Sequence, residues 1–126
     1  MILLHAAGGL EFFNQRLGQS KPSLWVEQGW PQKYDLPNPP GGAHGWSEVK
    51  GVHLTLASVL DFTQAAWLAA ETYLAQIKSA DLDSTLMDGD PAVLADAVVV
   101  LLNHILFHAG EIAALRGIQG EKGLPF

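Results

Sequence analysis

The stretch from Pro91 to Gly117 constrains the fold more than any other part of the chain. Its middle, AVVVLLNHILF, is apolar on nearly every side of a helix, and no Gly or Pro interrupts it before Gly110. Asp90 offers an N-cap oxygen and Pro91 suits the first helical position. Arg116 in the last turn and Gly117 after it mark the end. The run is about 26 residues, or roughly 39 Å at 1.5 Å per residue. Three successive valines raise a strand alternative, which the length of the unbroken pattern disfavours. A helix that is apolar all round must be covered all round. The expectation is therefore the central helix of an all-α bundle.

Two further helices are legible. Over residues 1–17, Leu3, Leu4, Ala7, Leu10 and Leu17 recur at helical spacing. Gly8 and Gly9 are unfavourable inside a helix, but they permit a neighbouring helix to come close. Over residues 55–78, Thr55 is the expected N-cap of a helix whose stripe runs Leu56, Val59, Leu60, Thr63, Ala66, Trp67, Ala70, Tyr73, Leu74, Ile77. Between them, residues 18–52 hold most of the prolines and no periodicity. Helix–helix connections are usually about 2–8 residues, so this one is a long crossover. It carries Trp25, Trp30, Tyr34 and Trp46, too many large aromatics for a disordered linker. The crossover is expected to lie on the bundle. Two roles remain open for Trp25, Trp30 and Trp46: covering the core, or lining a substrate pocket.

With 126 residues, 48% of them hydrophobic and 16% charged, residues 1–126 are read as a single globular domain. The net charge of −6 and the absence of a Lys/Arg cluster argue against a nucleic-acid partner. The N-terminal apolar stretch lacks a basic leader and is broken by His5 and Glu11, unlike a signal peptide. No window reaches the roughly 18 uninterrupted apolar residues of a membrane span. A cytoplasmic protein with no membrane partner is expected. There is no cysteine, so any metal site must use His, Asp or Glu.

His104 and His108 lie four apart and stack on one helix face, with Glu111 nearly in line. Such a pair can share a metal ion. No Glu follows His104, so the general base built into the zinc-protease motif is missing. The alternative is that each imidazole hydrogen-bonds to a backbone carbonyl or to Glu111. Leaving a buried ring unpaired costs about 1–3 kcal/mol, and a metal satisfies both rings at once. A third ligand must come from His5, His44 or His53. His5 sits among leucines on a helix, which holds a ligand more rigidly than a loop does, so His5 is favoured and His53 is the reserve.

The segments LLHAAGGLEFF and HILFHAGEIAALRG, with the tail GEKGLPF, resemble the DinB-like family of metal-binding four-helix bundles. The resemblance extends loosely over LASVLDFTQAAWLAAETYLAQIKSADLDSTL and covers most of the chain. It implies an up-and-down helical bundle with His5, His104 and His108 as ligands. It also implies a divalent metal, with zinc or nickel expected. Family members transfer a low-molecular-weight thiol to an electrophile or isomerise a thiol adduct. That implies a thiol S-transferase or isomerase, in which Glu111 orients a histidine or accepts a proton. In the family a complete helix precedes the His-bearing one, whereas here only four residues precede His5. The resemblance therefore implies a first helix that is absent or supplied by a partner chain, and a homodimer with exchanged elements. The competing expectation is a non-catalytic helical dimerisation module with a structural metal or none. A DNA-repair role is disfavoured by the acidic charge.

Overall fold

A computed structural model describes residues 1–36, 52–86 and 92–124. Trp46 and His44 lie outside the described residues, as do Asp90 and Pro91. The elements, in order, are α1 (Ile2–Glu11), a π-helical continuation (Phe12–Gly18), α2 (Leu24–Glu27), α3 (Trp30–Tyr34), α4 (Leu56–Leu74), a 3-10 turn (Ser79–Asp81) and α5 (Leu94–Ile118). The architecture is all-α. Among the described residues the only β pairing is an isolated bridge between Thr85 and Val93.

The central helix is α1, the one that packs broadly against both α4 and α5. Leu4 and Ala7 share a core cluster with Val59, Phe62 and Ala66, and Leu10 and Phe13 share a second with Ala70, Ala97 and Leu101. Position therefore rises together along α1 and α4, while it falls along α5. Helices α1 and α4 are parallel and α5 is antiparallel to them. A strictly up-and-down order would make α1 and α4 antiparallel. The long crossover is what returns the chain to the level at which α1 began.

Thr55 caps α4 as expected, its hydroxyl accepting from Ser58 N–H at 3.1 Å. The helix ends at Leu74, short of residue 78. Its buried face is Val59, Phe62, Ala66 and Ala70, whereas Leu56, Leu60, Trp67 and Leu74 of the expected stripe are exposed. Phe62 instead fills the space between Trp25 and Trp30, at ring distances of 4.8 and 5.5 Å.

The crossover is pinned from α1. The buried Glu11 carboxylate accepts the Leu24 N–H at 2.7 Å, and Ser23 caps the same short helix at Trp25 N–H. That drives Trp25 into the core, where its indole N–H donates to Leu36 O at 3.3 Å. Tyr34 donates to Ser58 O at 2.6 Å and fastens α3 to the start of α4. In the π-helical turn, Gly18 lies under the Tyr73 ring, and Tyr73 donates to its carbonyl at 2.9 Å. A Cβ on Gly18 would stand 2.8 Å from the Tyr73 hydroxyl oxygen, so a side chain there would displace the Tyr73 ring.

Helix α5 departs from expectation at both its end and its surroundings. It runs through Gly117 to Ile118, with the left-handed turn at Gly120 (φ 83°). Only Leu94, Ala97 and Leu101 are buried on it. Val99, Val100, Leu102, Leu106 and Phe107 are each more than half exposed. The central position belongs to α1 because α5 has neighbours on one side only. By length and composition α5 is apolar enough to cross a membrane, a criterion that tolerates the polar residues breaking its apolar run.

Candidate metal centre

Antiparallel packing brings His5 of α1 opposite His104 and His108 of α5. The three rings meet edge to face, with centroids 5.2 Å apart for His5 and His104, 4.8 Å for His5 and His108, and 4.4 Å for His104 and His108. One ligand nitrogen from each lies within 4.8 Å of the others, and this group could hold a metal ion. Zinc–imidazole bonds of about 2.0–2.1 Å ask these donors to draw in by something on the order of 1 Å.

The hydrogen bonds around the rings fit a metal better than they fit self-sufficient histidines. The His108 Nδ1 is 2.6 Å from Glu111 Oε2, which leaves Nε2 facing the cluster side. The buried Nε2 of His104 has no hydrogen-bond partner. Metal-bound histidines commonly have the arrangement of His108, with one nitrogen held by a carboxylate and the other left for the ion. Burial pushes the His104 pKa below its ordinary 6.5, and the neighbouring His108 and His5 push it the same way. The ring is thereby held in the neutral form that a metal requires.

Gly9 makes the site possible. One turn after His5, it lies against the His104 imidazole, and a Cβ there would overlap Nε2 and stand 2.8 Å from Cδ2. The close approach anticipated at the glycine pair is thus a helix meeting a ring. Glu111, expected as an orienting group or a proton acceptor, is placed to orient His108. It is about half exposed.

Other expected residues lie elsewhere. His53 is exposed just ahead of the α4 cap and is not part of the cluster. Trp25 and Trp30 belong to the core around Phe62. The pinning of α2 by Glu11 directs Trp25 inward.

A cavity of about 370 Å³, not anticipated from the sequence, lies on the His104 side, walled by Phe12, Phe13 and Leu17 from the π-helical continuation and by Ala97, Val100 and Leu101 from α5. The signal was present. Gly9, Phe12 and Phe13 follow His5 at four, seven and eight residues, on the same side of a helix. In comparisons with known proteins, the chain matches no family model, no curated protein and no solved structure.

Proposed function

We propose that this chain is a divalent-metal-binding protein of the DinB-like kind, with zinc or nickel held by His5, His104 and His108. The observation that supports this most is the buried, unpartnered Nε2 of His104 beside two other imidazoles. A buried polar atom without a partner costs about 1–3 kcal/mol, and a shared ion removes that cost. Bound there, a metal with an open position would lower the pKa of a coordinated water or thiol and supply a nucleophile at neutral pH.

The chain's own residues then have distinct tasks. Glu111 fixes the His108 ring, and Gly9 lets His104 approach α1. Among the described residues Glu111 is the acid or base placed against the cluster, so proton transfer falls to it or to solvent. If a divalent ion were bound, His5, His104 and His108 would hold it and it would supply an activated thiolate, which would suit a thiol S-transfer to, or isomerisation of, a small electrophile.

The test is metal content after incubation with Zn²⁺ or Ni²⁺, repeated for His104→Ala. One equivalent bound by the parent chain and lost in the variant supports the reading. A parent chain that takes up neither ion sinks it.

A second reading draws on the open face of α5. Leu102, Leu106, Phe107 and Ile118 are exposed by 55%, 69%, 73% and 82%. Large apolar side chains gathered on an uncovered helix face mark an interaction surface. We propose that a second copy of the chain covers the part of this face around Leu106 and Phe107, clear of Val100. Asn103 lies within that face, and a membrane interior would leave its amide unsatisfied. A homodimer is compatible with catalysis, or with a purely structural metal. Metal bound without any thiol transfer would favour the structural role.

A further inference from the structure

Most small ligand pockets are about 300–1,000 Å³, apolar, with a few polar groups that set orientation. The cavity beside His104, at about 370 Å³, has that size and that character. Phe12, Phe13, Leu17, Leu86 and Leu101 form most of its wall. Among the described residues its polar side chains are the His104 ring and Asp96, which faces solvent and accepts from Val93 N–H at 3.4 Å. A second recess touches His108 on the opposite side, but at about 140 Å³ it is near the roughly 150 Å³ that takes a single benzene. The larger cavity has room for on the order of a dozen carbon atoms by the same comparison.

We propose that this cavity binds the hydrocarbon body of a small ligand whose donor head reaches the metal on His5, His104 and His108. The proposal rests on the metal reading above and adds a substrate class to it. A sugar-like or charged body is excluded by the same wall, because each polar group entering it would lose water without finding a partner. The His104 ring forms part of both the metal site and the cavity wall, so a ligand held by its head at the one extends into the other. Phe12 and Val100 are largely exposed and stand at the mouth, where a ligand enters without the core opening.

The experiment loads the protein with Co²⁺ and titrates it with ethanethiol, butanethiol and hexanethiol, reading the thiolate-to-cobalt charge-transfer band. Each methylene buried tightens binding roughly fourfold, so hexanethiol is expected to bind on the order of 100-fold more tightly than ethanethiol. In Val100→Trp, or in Phe12→Trp if the first variant does not fold, the indole fills the mouth and the chain-length advantage is expected to shrink to a few-fold. Cobalt bands with equal affinity for all three thiols in the parent protein would overturn the pocket and leave the metal reading standing. Absence of any cobalt band would overturn the metal reading, and the pocket proposal with it.

Discussion

Gly9 lies so close to His104 that any side chain there displaces the imidazole: a Cβ added there would overlap Nε2. The metal-site nitrogen and the helix contact are therefore one feature. In Gly9→Ala the ring has to swing away, because it is the movable partner. Alanine is a better helix former than glycine by about 1 kcal/mol, which offsets part of the packing loss. The expected outcome is a fold that melts within a few degrees of the parent and binds Zn²⁺ at least tenfold more weakly in a chelator competition titration. An unchanged affinity would show that His104 does not contribute its Nε2.

Glu111 holds His108 by a 2.6 Å contact to Nδ1. Partners of this kind typically change metal affinity by about 10–100-fold when removed. Glu111→Gln keeps the size but exchanges an anionic acceptor for a neutral one, and Glu111→Ala removes it. Zn²⁺ affinity measured by calorimetry is expected to fall in the order parent, Gln, Ala. Because Glu111 is half exposed, thermal stability without metal should hardly move. A large stability loss in the Gln variant would mean that the carboxylate serves the helix and not the site.

The helices and the histidines were legible in the sequence for different reasons. Spacing alone places His104 and His108 on one face, and the leucines around His5 place it on a helix that must pack. Those are local periodicities. The neighbours of α5 were not legible, because a helix that is apolar all round predicts burial without saying whether this chain or another supplies it. The same ambiguity misdirected the α4 stripe. Trp67 and Phe62 are both large and apolar, and only the pinning of the crossover aromatics decides that Phe62 faces inward. Glu11 could not be recognised as that pin, since its partner, Leu24 N–H, is a backbone group thirteen residues away.

Glu11 also gives the fold a pH signature. Burial raises its pKa above the ordinary 4.5, and the hydrogen bonds from Ser23 and Leu24 only partly oppose this. A carboxyl group with a raised folded-state pKa favours folding fully below the unfolded value, and that contribution is lost as pH rises through the folded value. Glu11→Gln retains an oxygen for Leu24 N–H but cannot ionise. The variant is expected to gain stability relative to the parent as pH rises from about 4.5 upward, a trend read from urea unfolding at several pH values. Parallel pH profiles for the two proteins would show that the carboxyl titrates as freely when folded as when unfolded. Glu11→Ala, which removes the acceptor, is expected to be destabilised at every pH by about 1–3 kcal/mol.

The open face of α5 yields the last prediction. Leu106 and Phe107 are exposed by 69% and 73%, at the middle of the helix and away from the packed side. Gly110, one turn further on, has nothing within 4 Å of where a Cβ would be. Glycine at an interior helical position costs about 1 kcal/mol relative to alanine, and no neighbour among the described residues requires it. A helix from a second copy approaching closely at Gly110 would require it. The parent chain is therefore expected to run as a dimer in light scattering at micromolar concentration. Leu106→Lys with Phe107→Glu should turn it into a monomer that keeps its helical circular dichroism and its metal, because the altered side chains point away from His5, His104 and His108. A parent protein that is already monomeric would remove the second copy as the cover. A monomer–dimer shift on Gly110→Leu alone would locate the contact at that turn of the helix.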